Sequence, residues 1–159
     1  MFLSKKNPIF LTSFLSLVFL LTFNHVKSQE LKVVDGDTIH LNGEKIRFAG
    51  IDTPEIKQTC IKDGTKNSCG IIAKQILINK IGNNIVECIS EGKDQYKRTL
   101  AECFVNNQSL SSYLVRIGYA FAYRRYSKKF VIDEDYAKGN QLGMWSMKFV
   151  YPWDYRKNH

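Results

Sequence analysis

The stretch from Arg47 to Glu55 combines residue types that suit phosphate and metal chemistry. Arg47 stands five residues before Asp52, and Glu55 follows Asp52 by three residues. The planar guanidinium of arginine matches the geometry of a phosphate, whereas carboxylate oxygens are ligands that suit Ca²⁺. Asp37, in an acidic turn just upstream, supplies another carboxylate. The spacing therefore favours one site that holds a hard cation and a phosphate together.

The geometry of a β-strand constrains this site. Side chains alternate between the two faces, so Arg47 and Asp52 would point in opposite directions on a regular strand. They can share a site only if the strand bends or ends between them, and Gly50 is the natural position for such a break. Pro54 then forces Thr53 into an extended conformation, which fixes the direction of the Thr53 carbonyl. We therefore expect the strand to break at Gly50.

Each part of this pattern, taken alone, is also compatible with an ordinary structural role. Residues 35–38 form a common turn sequence, and Arg47 can be a half-buried strand arginine. Residues 52–55 can begin a helix that has proline in its first turn. Arg98, in a predicted turn further along the chain, adds a second guanidinium. The joint occurrence of these residues favours the chemical interpretation.

The flanking sequence predicts the elements that hold these side chains. Residue periodicity indicates strands over residues 31–34, 38–41, 44–51, 84–89 and 100–105, with Asn42 and Gly43 as a hairpin turn. A first helix begins at Cys69 and ends at Gly82, a second follows an N-cap at Ser109, and a third covers residues 133–141. This order predicts an α+β fold, a five-stranded Greek-key β-barrel of the OB type with about three α-helices. A meander packed against a helical layer is the alternative.

The first 28 residues have the layout of a secretory signal peptide. Lys5 and Lys6 precede an apolar run over residues 9–23, and the segment closes with Ser28, a small residue. The run is short for a membrane span, which needs about 20 apolar residues, so an uncleaved anchor is the alternative. Residues 29–159 are then expected to form a single domain.

This domain is basic. The first segment contains Lys5, Lys6 and Lys27 and no acidic residue, which leaves 20 Lys and Arg against 15 Asp and Glu, a net charge of +5. A small basic domain attracts polyanions such as nucleic acid. Charge alone only shifts the balance toward such partners, because many basic proteins bind nothing in particular.

All four cysteines, Cys60, Cys69, Cys88 and Cys103, lie in the predicted domain. An even number of cysteines in an exported chain favours disulfides, and four cysteines allow three pairings. Sequence proximity favours Cys60–Cys69, and Cys88 can face Cys103 across a hairpin. The spacing does not indicate a zinc site, because there is no Cys-x-x-Cys and no histidine at ligand spacing. We expect the pairs Cys60–Cys69 and Cys88–Cys103.

The chain resembles the thermonucleases, the staphylococcal-nuclease-like Ca²⁺-dependent phosphodiesterases. The matching stretches are residues 34–38, 47–55, 94–101, 114–120 and 143–146, in the order in which the family has them. The resemblance covers about residues 32–145, and residues 47–55 are its most specific part. The cysteine pattern and the tail over residues 152–156 are similar to exported bacterial members.

The resemblance implies an OB-fold and hydrolysis of DNA or RNA that leaves a 3′-phosphate and a 5′-hydroxyl. We also expect a monomer without a stable protein partner, which the signal peptide directs to the periplasm or the medium. Carried over by position, Ca²⁺ would bind to the carboxylates of Asp37 and Asp52 and to the carbonyl of Thr53. The scissile phosphate would contact Arg47 and Arg98.

The remaining roles that the resemblance implies concern the water and the nucleotide. Glu55 would position or deprotonate the attacking water, and Tyr96 and Tyr123 would contact the nucleotide. Two positions depart from the family pattern: Lys97 stands where the family usually has glycine, and Gln95 where it usually has a basic residue. If position 97 has a positive φ, a lysine there costs roughly 1 kcal/mol and can redirect Arg98.

Three functions are compatible with these features. An exported nuclease uses every member of the set, including the general base Glu55. A catalytically inactive OB-fold module that binds nucleic acid has no use for Glu55. A secreted, disulfide-stabilised interaction domain explains the cysteines and leaves the carboxylates unexplained. The nuclease is therefore the leading interpretation.

Overall fold

The computed structural model describes residues 28–159. The strands are β1 Leu31–Val33, β2 Thr38–Leu41, β3 Glu44–Phe48, β4 Ile51–Asp52, β5 Cys60–Lys62, β6 Thr65–Asn67, β7 Glu87–Lys93, β8 Thr99–Val105, β9 Gln108–Ser109 and β10 Phe121–Ala122. The α-helices are α1 Cys69–Ile81, α2 Leu110–Arg116, α3 Val131–Gly139 and α4 Pro152–Lys157, and a 3₁₀ helix covers Gly143–Ser146. Within residues 28–159, no helix is long and apolar enough to cross a membrane. The predicted signal peptide lies outside the described residues, apart from Ser28.

The main sheet has the strand order of an OB-fold. Its path is β1-β2-β3-β8-β7, with β9 paired to β8. β3 and β8 run parallel, and the other pairs are antiparallel. The side chain of Gln29 connects the two ends of this path, because it exchanges two hydrogen bonds with the backbone of Val86, just before β7. The α+β OB-fold predicted from the sequence is therefore confirmed.

The hydrophobic core lies between the sheet and the helices. Ile39, Phe48 and Val105 from the strands pack with Leu77 of α1 and Leu114 of α2, and all five are buried. Ser109 caps α2 as predicted, because its hydroxyl accepts a hydrogen bond from the backbone N–H of Ser112. Such a core holds β2 and β3 rigidly, and these two strands carry Asp37 and Arg47 at or beside their ends.

The third strand breaks where the sequence predicts. β3 ends at Phe48, Gly50 has φ +73°, and the chain resumes as β4 at Ile51. β4 leaves the main sheet and pairs with β10, where Asp52 stands opposite Phe121. The single predicted strand over residues 44–51 is thus two strands in two sheets. This change of direction lets Arg47 and Asp52 reach the same site.

Both disulfides form as predicted, Cys60–Cys69 and Cys88–Cys103. Cys88 and Cys103 are directly opposite residues in the register of β7 and β8. Cys60–Cys69 joins the start of β5 to the first residue of α1. The Cys60–Cys69 bond therefore holds the amino end of α1 against the segment that follows Glu55.

The other predicted elements are present with shifted boundaries. The strand predicted over residues 84–89 is β7, Glu87–Lys93, because Asn84 continues the turn after α1 and both its backbone and its side chain donate to Ile81 O. The helix predicted over residues 133–141 is α3, Val131–Gly139. The small β5–β6 hairpin, β9, β10 and α4 are additional elements that the sequence did not predict.

An aromatic cluster packs the last part of the chain against Phe121 of β10. Phe121 is fully buried and contacts Trp145, Phe149, Tyr151 and Trp153, with ring centroids 5.1 to 6.1 Å away. Three of these four pairs are edge-to-face, a geometry that stabilises beyond the burial of apolar surface. The cluster anchors the amino end of α4 beside β10, so the residues of α4 lie close to Asp52, the residue opposite Phe121.

Gly70 allows α1 to approach the loop that carries Glu55. A Cβ at Gly70 would lie 1.9 Å from the carbonyl oxygen of Glu55 and 2.5 Å from its carbonyl carbon. Such contacts are far below van der Waals distance, and both partners are backbone. We therefore expect Gly70→Ala to lower the free energy of unfolding by about 1–3 kcal/mol. Denaturant titration measures this loss.

Gly139→Ala is the matched control. Gly139 ends α3, and a Cβ there would have no heavy atom within 4 Å. The control should leave the free energy of unfolding unchanged or raise it by up to about 1 kcal/mol. Equal stability of Gly70→Ala and the unsubstituted protein would contradict the close approach of α1 to Glu55.

Candidate active site

Arg47 bridges two buried carboxylates. Its Nη1 donates to Asp37 Oδ1 at 2.9 Å, and its Nη2 donates to Asp52 Oδ1 at 2.6 Å. Asp37 precedes β2, Arg47 lies in β3, and Asp52 lies in β4, so three segments meet at one guanidinium. Asp37 is 2% exposed and Asp52 is 0% exposed. A buried carboxylate without a charged or hydrogen-bonding partner would be strongly destabilising, so the contacts with Arg47 stabilise both side chains in their buried positions.

The second carboxylate oxygen of Asp37 accepts a hydrogen bond from the start of the loop that follows β4. The Thr53 backbone N–H donates to Asp37 Oδ2 at 3.0 Å, and the Thr38 hydroxyl donates to Asp37 Oδ1 at 3.1 Å. Phe48 N–H also donates to the carbonyl of Asp37 at 2.8 Å. The Asp37 carboxylate is therefore fixed by contacts from Thr38 in β2, from Arg47 in β3 and from Thr53, the residue after Asp52.

A further element, α4, also reaches the Asp52 carboxylate. Arg156 Nη1 and Nη2 donate to Asp52 Oδ1 and Oδ2 at 3.0 and 2.7 Å, a bidentate pair. Nη1 also donates to Glu55 Oε1 at 2.7 Å. Asp52 thus contacts two guanidiniums, Arg47 and Arg156. The sequence did not predict a role for Arg156 at this site, since its partners are 101 and 104 residues away and no local pattern connects them.

Burial and charge shift the pKa values in this cluster. Burial raises the pKa of Asp52 from its ordinary value, and the hydrogen bonds from Arg156 oppose that rise. Burial, together with the charge of Asp37, raises the pKa of Asp35 to about 6. Burial disfavours the charged form of Arg47, but Asp37 and Asp52 outweigh it and raise its pKa. The cluster therefore combines crowded carboxylates with permanently charged guanidiniums.

Glu55 lies at the solvent side of the cluster. Its side chain is 39% exposed, and its backbone N–H donates to Gln58 Oε1 at 3.2 Å. Gln58 is fully buried, and its Nε2 donates to the carbonyl of Val150 at 2.6 Å. Gln58 therefore ties the loop of Glu55 to the segment before α4. It is a second residue that the sequence did not single out, because a lone glutamine carries no recognisable pattern.

Arg98 stands apart from these carboxylates. Its Nε donates to Asp94 Oδ2 at 2.6 Å, and its guanidinium lies 5.5 Å from the centre of the Tyr96 ring. It directly precedes β8, whose Leu100 pairs with Arg47 in β3. Arg98 therefore lies two residues along the chain from the strand partner of Arg47. Tyr96 is 71% exposed in the turn between β7 and β8.

The turn that contains Lys97 is strained but closed. Lys97 has φ +63°, the left-handed region that favours glycine. The turn nevertheless closes, because Lys97 N–H donates to the carbonyl of Asp94 and Asp94 N–H donates to the carbonyl of Arg98, each at 3.0 Å. The Arg98 backbone N–H is also held by Asp94 Oδ1. The lysine therefore strains the turn without opening it.

Tyr123 lies on an aromatic and basic surface beside α4. Its ring is parallel to that of Trp153 with centroids 5.5 Å apart, and Trp153 stacks in turn on Tyr151 at 4.5 Å. A cavity of about 350 Å³ opens here. Its lining residues are Ala122, Tyr123, Arg124, Arg125, Tyr151, Trp153 and Lys157. Flat rings next to cations suit the stacking and phosphate contacts of a single-stranded nucleic acid.

The donor set fits a hard cation in its chemistry. The carboxylates of Asp37 and Asp52 converge on one guanidinium, and the backbone carbonyl of Thr53 follows Asp52 directly. All three candidate donors are therefore oxygens, the ligands that Ca²⁺ prefers. Within residues 28–159, however, no three His, Cys, Asp or Glu side chains converge as a metal cluster. Both oxygens of Asp52 contact arginine instead. A cation at Asp52 would therefore have to share this carboxylate with a guanidinium or displace one.

Comparison with known proteins gives a consistent result. The family described as "Staphylococcal nuclease homologue" matches residues 45–147. The chain is 33% identical to the uncharacterized protein MJ1439 of Methanocaldococcus jannaschii, over 79% of this chain and 74% of that protein. It is 29% identical to an uncharacterized endonuclease of Haemophilus influenzae, over 73% of this chain and 64% of that protein. It is 30% identical to the endonuclease YncB of Bacillus subtilis, over 72% of this chain and 59% of that protein.

Replacing the strained lysine should stabilise the protein. We expect Lys97→Gly to raise the free energy of unfolding by about 1 kcal/mol, because glycine adopts a positive φ without a Cβ clash. Lys97→Ala is the control, since it removes the same charged side chain and keeps the Cβ. Urea titration measures the free energy of unfolding of both variants. An equal gain from alanine would attribute the effect to charge and contradict backbone strain at position 97.

Proposed function

Because the chain belongs to the staphylococcal nuclease family, we propose that it is a nuclease that hydrolyses phosphodiester bonds of DNA, RNA or both. In this proposal the protein is exported and depends on Ca²⁺, and its products carry a 3′-phosphate and a 5′-hydroxyl. The observation that carries it is the bridge from Arg47 to the buried Asp37 and Asp52, with Glu55 at its edge. The endonucleases of Haemophilus influenzae and Bacillus subtilis, to which the chain is similar, support it.

The charges of the site suit an anionic substrate that gains charge during the reaction. A phosphodiester is negatively charged and resists attack, and more negative charge collects on its phosphoryl oxygens as the nucleophile approaches. Arg47 is 16% exposed and held in place by two carboxylates, so its guanidinium is pre-organised to stabilise that charge. Arg98 supplies a second guanidinium from the neighbouring turn. Removal of one such group typically lowers a rate by about 10²–10³.

Asp37, Asp52 and the carbonyl of Thr53 are the residues that would hold Ca²⁺. When bound, this ion would neutralise charge on the phosphoryl oxygens and so lower the barrier to attack of water on phosphorus. Two carboxylates leave further coordination positions for water and substrate. The contact of Thr53 N–H with Asp37 supports this assignment, because it keeps the backbone of Thr53 next to the first of the two carboxylates.

Glu55 is the proposed general base. It is the accessible carboxylate of the group, with a side chain that is 39% exposed while Asp37 and Asp52 are buried. A general base must lie within hydrogen-bond reach of the attacking water. Glu55 is accessible to water and shares Arg156 with Asp52, which supports this role. The fixed backbone of this loop, held by Gln58 and by the close approach of Gly70, supports a defined position for Glu55.

Two aromatic side chains support contact with the nucleotide. Tyr123 lines the cavity next to α4 and is flanked by Arg124 and Arg125, and Tyr96 is exposed beside Arg98. Stacking of a base on one such ring is worth about 1–3 kcal/mol in proteins that bind single strands. The two tyrosines lie on different elements, so the substrate would extend across the site from the β7–β8 turn to β10.

The proposed location outside the cytoplasm is supported by the disulfides. Both pairs, Cys60–Cys69 and Cys88–Cys103, join residues of this small domain, and such bonds persist mainly in oxidising compartments. The layout of residues 1–28 in the sequence points in the same direction. The protein is proposed to act as a monomer, secreted or in the periplasm.

The first test is cleavage of single-stranded DNA and of RNA with Ca²⁺ present. Cleavage should stop when a chelator removes Ca²⁺ and return when Ca²⁺ is restored. The DNA products should accept a 5′ label from a kinase directly and should serve as primers for a polymerase only after phosphatase treatment. Cleavage that continues in excess chelator would contradict the metal dependence, and products that prime directly would contradict the 3′-phosphate.

The second test separates an enzyme from a binding module. Glu55→Gln should lower kcat by about 10²–10³ and leave affinity for single-stranded DNA within a few-fold, because it removes the base and keeps the shape. Asp63→Asn is the matched control, since Asp63 is an exposed acid in the β5–β6 turn. Equal kcat values for both variants would show that Glu55 is not the general base.

A further inference from the structure

Arg156 contacts the oxygens that the proposed cation needs. Of the hydrogen bonds that reach the Asp52 carboxylate, one comes from Arg47 and two come from Arg156. A carboxylate has about four lone-pair positions, so guanidiniums already take most of the capacity of Asp52. Arg156 also takes Oε1 of Glu55. One side chain therefore neutralises both the proposed metal ligand and the proposed base.

The balance of charge at this site depends on Arg156. Asp37, Asp52 and Glu55 face Arg47 and Arg156, three carboxylates against two guanidiniums. Burial disfavours the charged form of Arg156, but the hydrogen bonds to Asp52 and Glu55 raise its pKa, so it stays charged. A divalent cation approaching Asp52 meets this positive charge at close range, where repulsion is strong. The cation and the bidentate guanidinium compete for the same place.

Arg156 is also able to leave. Its side chain is 36% exposed, whereas Asp52 is 0% exposed. Pro152, at the amino end of α4, is buried, and Trp153 packs in the aromatic cluster. The cluster can therefore keep α4 in place while the long side chain of Arg156 swings toward solvent.

We propose that Arg156 is a positioning residue that holds Asp52 and Glu55 in the absence of metal and that a bound divalent cation displaces it from Asp52. This inference rests on the proposed function, because it takes Asp52 as a ligand of the metal. It adds a residue from α4 to a site that is otherwise built from β2, β3, β4 and the following loop. The carboxylates are then never left buried without a cationic partner, whichever cation is present.

Competition makes a quantitative prediction for Ca²⁺ affinity. If Arg156 occupies Asp52 in about nine-tenths of the free molecules, the apparent affinity for Ca²⁺ is weakened about tenfold. Arg156→Gln removes the competing charge and keeps a polar side chain. Its dissociation constant for Ca²⁺, measured by calorimetric titration without substrate, should therefore be about tenfold lower than that of the unsubstituted protein.

Lys157→Gln is the matched control for net charge. Lys157 lies next to Arg156 on α4 and pairs with Asp154 at 2.8 Å. Its substitution should change the Ca²⁺ dissociation constant less than twofold. Equal tightening by both substitutions, or an unchanged or weaker affinity in Arg156→Gln, would overturn the competition. Absence of Ca²⁺ binding in every form would overturn the metal in the proposed function as well, which distinguishes the two failures.

A measurement on the unsubstituted protein keeps the proposal testable if Arg156→Gln does not fold. Guanidinium ¹⁵N NMR detects the slowed rotation of an arginine side chain whose two Nη atoms are both held by hydrogen bonds. Without Ca²⁺, both Arg47 and Arg156 should show this slow rotation. Saturating Ca²⁺ should raise the rotation rate of the Arg156 guanidinium at least several-fold and leave the rotation of the Arg47 guanidinium slow. An Arg156 signal that stays restrained at saturating Ca²⁺ would overturn displacement.

Discussion

The structure of the site depends on the burial of Asp52. A fully buried carboxylate is stable only with close cationic or hydrogen-bonding partners, and here both oxygens have them, from Arg47 in β3 and from Arg156 in α4. Arg47 satisfies Asp37 at the same time. One electrostatic requirement therefore joins the start of the barrel, its third strand and the last helix. The same requirement produces an active-site candidate, because converging carboxylates and guanidiniums are what a metal-assisted attack on phosphate uses.

The backbone provides the geometry that this requirement needs. Gly50 turns the chain so that Arg47 and Asp52 meet, and β4 then pairs with β10 rather than continuing the main sheet. Gly70 lets α1 lie directly against Glu55, and Gln58 joins the loop of Glu55 to the segment before α4. The aromatic cluster around Phe121 anchors that segment. Packing far from the carboxylates thus decides which side chains can reach them.

Local signals in the sequence predicted much of this arrangement. The break at Gly50, the hairpin at Asn42 and Gly43 and the cap at Ser109 are encoded within a few residues, and the structure has all three. Both disulfides followed from proximity and hairpin register. Arg156 and Gln58 were not predicted, because their partners come from distant segments that only the folded chain brings together. Arg98 was predicted beside the phosphate, and its observed partner is Asp94, four residues away.

The position of a bound Ca²⁺ ion shows whether Asp37 and Asp52 form a metal site. A crystal of the protein soaked with Ca²⁺ and a nucleoside 3′,5′-bisphosphate can be examined by anomalous scattering. We expect one Ca²⁺ peak about 2.3–2.6 Å from oxygens of both Asp37 and Asp52, with a phosphate group on Arg47. A site without this peak, or a Ca²⁺ ion bound elsewhere while Asp37 and Asp52 keep only their arginine partners, would contradict it.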